Sequence, residues 1–128
     1  MESPSLPFEL ESFAGFGETK GLLCLVDGHL KLEFQTKDSV LGVIKSKVRE
    51  VEIPFDQIEE VHFKKGFFGC RFNFRFSSLK ALAEVPGQEG VELTLAMAKK
   101  YAEVGRDLES KLRLAMADTR LKAIQAEG

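Results

Sequence analysis

KVREVEIPFDQIEEVHFKKGFFGCRFNFRF, residues 47–76, reads as strand, corner, strand, tight turn and strand. Cys70, Phe72, Phe74 and Phe76 share one parity; Arg71, Asn73, Arg75 and Ser77 share the other. Successive side chains of a strand point to opposite faces, whereas a helix would scatter those phenylalanines around its circumference. Val61 and Phe63 alternate in the same way with Glu60, His62 and Lys64, and Val51, Ile53 and Phe55 with Glu50, Glu52 and Asp56. Pro54 has no N–H to give a ladder, so it marks a strand end or a sheet edge. Asp56-Gln57-Ile58 is the corner, and Lys65-Gly66-Phe67-Phe68-Gly69 is a turn bracketed by glycines.

Upstream, Glu18 to Val26 is a strand with a near-continuous apolar run, Asp27-Gly28 is a two-residue hairpin signal, and His29 to Thr36 returns with Leu30, Leu32 and Phe34 inward. Lys37 to Ser46 is a longer loop or splayed hairpin around Gly42. Residues 1–17 form a lead-in whose start is loose, with Phe8, Leu10, Phe13 and Phe16 docking on a single domain of residues 18–126. Downstream, Ser78 to Val85 is a short helical turn, and Val91, Leu93, Leu95 and Met97 form one face of a last strand. From Lys99 or Lys100 the period becomes helical to about Ala126, with Tyr101, Val104, Leu108, Leu112 and Ala115 on one stripe. The expected fold class is therefore mainly β with one C-terminal helix. A partly open antiparallel barrel or sandwich of about six to seven strands is capped by that helix, because a one-sided apolar sheet must close on itself or be covered.

Composition narrows the function classes. The 128 residues are 44% hydrophobic and 30% charged, ordinary for one soluble domain with a real core. A net charge of −2 gives no reason to expect nucleic acid. Cys24 and Cys70 sit on predicted strands and read as small core residues rather than a disulfide. The start lacks the basic and apolar regions of a signal peptide, and no window approaches a membrane span, so the expected location is the cytoplasm. His29 and His62 stand on solvent-facing parities with no ligand spacing, which argues against a metal site. No serine has a nucleophile-elbow context, and Gly15-Phe16-Gly17 lacks the strand–helix frame of a phosphate loop. No catalytic group and no cofactor are expected.

The segments GLLCLVDGHLKLEF (21–34), VEIPFDQIEEVHF (51–63) and CRFNFRF (70–76), followed by a strand and a final helix, resemble the pleckstrin-homology superfold, and most of all its small bacterial and GRAM-like members. The resemblance rests on the Gly-x-Leu at Gly21 to Leu23, the corner at Ile53 to Val61 and the terminal helix, and it covers roughly Glu18 to Ala117. These motifs are structural. The superfold hosts lipid binding, peptide binding and scaffolding, so the resemblance implies a non-enzymatic binding module without choosing the ligand.

Three surfaces are candidates. Lys45, Lys47 and Arg49, with Lys64, Lys65, Phe67 and Phe68, could touch an anionic membrane; the alternative is a solvated strand end whose phenylalanines fold back inward. The resemblance itself counts against lipid, because phosphoinositide-binding members carry basic residues around the first hairpin loop, here the short, acidic Val26-Asp27-Gly28-His29. Arg71, Asn73 and Arg75 are the polar face of the phenylalanine strand. They are outward charges paired across the sheet with residues such as Glu60, or, as peptide-binding relatives imply, a site for an acidic peptide added as a strand beside the strand that abuts the helix. Leu114, Ala117, Leu121 and Ile124 form a second apolar set opposite the first helix stripe. That set calls for cover by the N-terminal segment, by a second copy in a homodimer, or by another protein. The expected function is engagement of a protein partner or self-association, with binding to an anionic membrane as the alternative.

Overall fold

A computed structural model of the chain describes residues 4–10, 17–38, 49–85 and 90–127. Seven strands, β1 (Leu6–Leu10), β2 (Gly17–Val26), β3 (His29–Asp38), β4 (Arg49–Pro54), β5 (Ile58–Lys65), β6 (Cys70–Phe76) and β7 (Glu92–Met97), precede one helix, α1 (Ala102–Glu127). They form one antiparallel sheet in the order β4-β3-β2-β1-β7-β6-β5, not closed into a barrel. β4 and β5 stand at its two edges yet are joined only by a three-residue 3-10 turn, Phe55–Gln57. Neighbours in sequence can occupy opposite edges only if the sheet curls until those edges approach. The corner is tied on both sides: Phe55 N–H donates to the Gly28 carbonyl (3.0 Å), and Ser77 N–H donates to the Gln57 carbonyl (2.8 Å).

The unexpected strand is β1. The lead-in does not dock on a finished domain; Leu6–Leu10 pairs with β2 along its length and meets β7 at Glu9↔Ala96, bridging the two halves of the sheet. Leu6, Phe8 and Leu10 are buried by the two-residue alternation that Pro7 interrupts on paper. Pro7 is tolerated because the β7 side of the strand is registered only at Glu9. Phe13 and Phe16 lie outside the described residues. The Gly-x-Leu of β2 has a steric reason: a Cβ at Gly21 would stand 1.9 Å from the Glu33 carbonyl oxygen and 2.7 Å from the Phe8 ring, so β2 can pass beneath Phe8 only as glycine.

The core lies inside the curl. Phe72 stacks on Phe74 (centroids 5.1 Å, 7° between planes) and Phe74 on Phe76 (6.0 Å, 8°), a direct result of the parity of β6. Phe34, Leu32, Ile53, Val61, Leu93, Leu95 and Leu108 pack around them, with Phe63 half-buried edge-on to Phe72. Both cysteines are buried and neither forms a disulfide.

The expected stripe holds at Leu108 and Leu112, with Tyr101 and Ala115 partly buried against the core, and departs at Val104. Ala102, Leu108, Leu112 and Met116 are buried, whereas Val104 is exposed. The cause is Gly105, where a Cβ would come within 2.3 Å of the Phe63 ring; the helix approaches β5 through the one residue without a side chain. α1 is preceded by a 3-10 turn at Lys99–Tyr101, so Tyr101 does not lie on the α-helical register.

Phe74→Ala should lower unfolding free energy by about 3–5 kcal/mol, combining lost transfer energy and a residual cavity; a loss below about 1 kcal/mol in urea titration would mean that the ring is not in the core. Gly105→Val should cost about 1–3 kcal/mol by overpacking, and Phe63→Leu in the same chain should recover part of it. A Gly105→Val protein as stable as its parent would show that the helix does not rest on Phe63.

Candidate functional site

The geometry of the site begins with what covers the edge of β5. In an antiparallel strand the N–H and C=O groups of alternate residues face opposite sides. Four backbone groups of β5 are taken by side chains of α1. Phe63 N–H donates to Glu109 Oε2 (2.6 Å), and Arg113 Nη2 donates to the Val61 carbonyl (2.6 Å) and to Glu109 (3.2 Å). Arg120 Nη2 donates to the carbonyls of Ile58 (3.2 Å) and Glu59 (2.9 Å). The helix thus satisfies the edge of the sheet with side chains in place of a strand.

This arrangement corrects the expectation of a peptide strand added at Arg71, Asn73 and Arg75. Their strand, β6, is hydrogen-bonded to β5 on one side and β7 on the other and has no open edge. The strand that abuts the helix is β5, and its edge is occupied. The three residues keep the outward face assigned to them. Arg75 stands opposite Glu60 in the register, as expected, and its guanidinium pairs with Glu59 (3.5 Å); Asn73 accepts a hydrogen bond from Thr94 Oγ1 (2.8 Å).

Arg71 belongs with the other surface. Across the β5–β6 hairpin it stands directly opposite Lys64, and the hairpin ends in a turn closed by Gly66 N–H donating to the Gly69 carbonyl (2.7 Å). Phe67 and Phe68 project from that turn, 82% and 94% exposed, with their rings edge to face at 4.9 Å. They do not fold inward, because the four-residue turn has already left the end of the core when it reaches them. Lys99, in the 3-10 turn before α1, donates through Nζ to the Phe67 carbonyl (3.4 Å) and lies 5.6 Å from the Phe67 ring centre. Beneath the tip runs an open groove of about 650 Å³ lined by Lys64, Cys70, Arg71, Asn73, Thr94, Ala96 and Met97 as well as the turn. No carboxylate is among the described residues that line it.

Parts of two surfaces read separately from the sequence therefore meet. Lys64, Phe67 and Phe68 come together with Arg71 and Asn73 around one groove, and Lys99 joins them from sequence-distant chain, while Lys65, opposite Cys70, is on the other parity of β5. The Lys64–Arg71 juxtaposition is unfavourable by itself, since like charges directly opposite on a sheet repel. Four other exposed cations are neutralised: Lys111 by Asp107, Arg113 by Glu109, Lys122 by Asp118 and Arg75 by Glu59, all at 3.0–3.5 Å. Among the described residues neither Lys64 nor Arg71 has such a counter-charge. Arg49 stands at the start of β4, the opposite edge strand, and Lys45 and Lys47 lie outside the described residues.

The outer face of α1 is the remaining candidate. Leu114, Leu121 and Ile124 are 72%, 53% and 66% exposed, with Ala117 exposed between them, on the side opposite Leu108, Leu112 and Met116. The N-terminal segment does not cover them as far as it is described, because Leu6–Leu10 is built into the sheet.

His29 Nδ1 lies 3.0 Å from the Asp27 carbonyl oxygen, and His62 sits in an exposed group with Glu60 and Arg113. Among the described residues no three His, Cys, Asp or Glu side chains are grouped to hold a metal ion, and no helix is long and apolar enough to cross a membrane. Compared with family models, curated proteins and solved structures, the chain finds no significant match.

If α1 caps β5 as described, Glu109→Ala should speed hydrogen exchange of the Phe63 amide by about 10–100-fold, the loss of one charge-assisted hydrogen bond. Amides of β6 should be unchanged. Unaltered Phe63 exchange would show that Glu109 does not hold that N–H.

Proposed function

We propose that the chain is a non-catalytic, pleckstrin-homology-like module of the cytoplasm that attaches to anionic membrane surfaces through the tip of the β5–β6 hairpin. The order of seven strands with a corner at residues 55–57, and the terminal helix along one edge, support the superfold part of this reading. The observation that carries the membrane part is the pair of adjacent, outward phenylalanines above un-neutralised cations. Two exposed Phe side chains are costly to leave in water. Burying each in an apolar phase gains about 1.5–3 kcal/mol, and each basic residue near an anionic leaflet adds about 1 kcal/mol. Neither contribution anchors a protein alone; together Phe67, Phe68, Lys64, Lys65, Arg71 and Lys99 supply both signals that stable attachment requires. The contact is to a charged surface rather than to one headgroup in a pocket, in keeping with the short, acidic loop at Asp27-Gly28. Engagement of a protein partner is the second reading, favoured by the exposed apolar face of α1.

Sedimentation with vesicles should show binding when they contain an anionic phospholipid and little when they contain only phosphatidylcholine. Raising salt from about 0.05 to 0.5 M, which shortens the Debye length to a few ångströms, should remove most of it. Phe67→Ser with Phe68→Ser should weaken binding at least about tenfold, the equivalent of roughly 1.4 kcal/mol, and Lys64→Glu with Lys65→Glu should abolish it. Failure to sediment with anionic vesicles at low salt rejects the membrane reading and leaves the tip as a protein contact.

A further inference from the structure

We propose that the hairpin-tip groove holds a single-chain anionic amphiphile. Its charged head lies against Lys64 and Arg71, and its alkyl chain crosses Ala96 into a second groove at the seam between β1 and β7. The proposal rests on the reading of the tip as a contact for anionic lipid and adds which part of the lipid is selected: the chain.

The second groove, about 410 Å³, is lined chiefly by Pro7, Phe8, Ala96, Met97, Ala98 and Tyr101. It has a cause in the chain. β1 is registered with β7 at Glu9↔Ala96, and Pro7, two residues earlier, has no N–H with which to extend that ladder. Residues of both parities reach the seam. Pro7 and Ala98 are not buried, whereas Phe8 and Met97 belong to the core. The remaining lining is Gly21, which adds no side chain, and Glu9 with Lys20, whose charges meet at 3.5 Å.

Ala96 and Met97 line both grooves, so the end of β7 is the wall they share. One row of the register runs Lys64–Arg71–Ala96–Glu9 across four strands. It spans roughly 14 Å at about 4.8 Å per strand. The residue between the cations and the seam is an alanine, which leaves that wall low.

Charge and polarity choose the occupant. Lys64 and Arg71 stand opposite each other, and no carboxylate is among the described residues that line their groove. An anion between them relieves their repulsion, and the Arg71 fork suits a phosphate. Beyond Ala96 the lining is apolar apart from the Glu9–Lys20 pair. Free phosphate would use the first groove alone and a neutral chain the second alone; an alkyl phosphate uses both. The head is held by charge rather than shape, so the site distinguishes chains, not headgroups.

Isothermal titration calorimetry with hexyl, octyl and decyl phosphate, each below its micelle concentration, should give one ligand per protein. Affinity should rise about two- to fourfold per added methylene, the range from partial to full burial of the chain. Inorganic phosphate and octyl glucoside should each bind at least about tenfold more weakly than octyl phosphate, since each lacks one half of the interaction. Arg71→Ala should weaken all three alkyl phosphates by a similar factor and keep the chain-length dependence. Ala96→Phe should flatten that dependence by raising the shared wall. Ala98→Phe should flatten it as well, from an exposed position where the added ring leaves the circular dichroism spectrum unchanged. Equal affinity for the three chain lengths overturns the proposal. So does a chain-length dependence that survives in both phenylalanine variants, or octyl glucoside binding as tightly as octyl phosphate. Vesicle sedimentation keeps the two readings apart. A flat chain-length series from a protein that still sediments with anionic vesicles rejects the chain site alone; a protein that binds octyl phosphate as expected but does not sediment rejects membrane attachment alone.

Discussion

The capture of one strand edge by side chains of the terminal helix is the contact on which the rest of the molecule depends. A curled, unclosed sheet of seven strands leaves two edges, and a row of unsatisfied N–H and C=O groups on either invites another chain. On β5 the row is answered by Glu109, Arg113 and Arg120. Each of these hydrogen bonds has a charged partner, the stronger class. On β4 the edge is blunted by Glu50, Glu52 and a proline that has no N–H to offer. The helix therefore does more than cover apolar surface: it supplies polar groups at the spacing of the strand it lies along.

That docking sets the helix rotation, and the rotation sets which surfaces are exposed. Gly105 rests on the Phe63 ring, and the ring rests edge-on against Phe72, the first of the three stacked phenylalanines of β6. The position of α1 is thus read by the core through one aromatic contact. With Leu108, Leu112 and Met116 turned inward, the stripe of Leu114, Leu121 and Ile124 has no alternative but to face away. The same geometry brings Lys99 onto the turn at Phe67. Both candidate surfaces, at opposite ends of the helix, are consequences of one docking.

The hairpin tip departs from what stability alone would select. Lys64 and Arg71 repel across the strands, and Phe67 and Phe68 gain little from each other in water. Apolar exposure set beside like charge is the pattern of a surface that meets something both anionic and apolar. On α1, Lys111, Arg113 and Lys122 are each neutralised by a carboxylate four residues away, whereas Lys64 and Arg71 face each other across the hairpin.

The strands and their faces were legible in the sequence because their cause is local. Parity alone placed Phe72, Phe74 and Phe76 inward and Arg71 and Arg75 outward, and glycine placed the turns at Asp27-Gly28 and residues 66–69. The second apolar stripe of the helix was legible for the same reason, since 100° per residue needs no partner to define it. Three things were not legible. β1 was hidden because Pro7 breaks its signal, and only the sparse pairing with β7 makes that proline acceptable. The open edge at β6 was an error of neighbourhood: hydrogen-bonding order in a sheet is set by which distant strands meet, and β7 arrives from about twenty residues away to close that edge. The union of Lys64, Arg71 and Lys99 around Phe67 and Phe68 required the register of β5 with β6 and the return of the chain at the start of α1. Spacing along the chain carries the face of a residue; only the tertiary structure decides its neighbour across the gap, because that choice is made by packing between segments with no short-range relation.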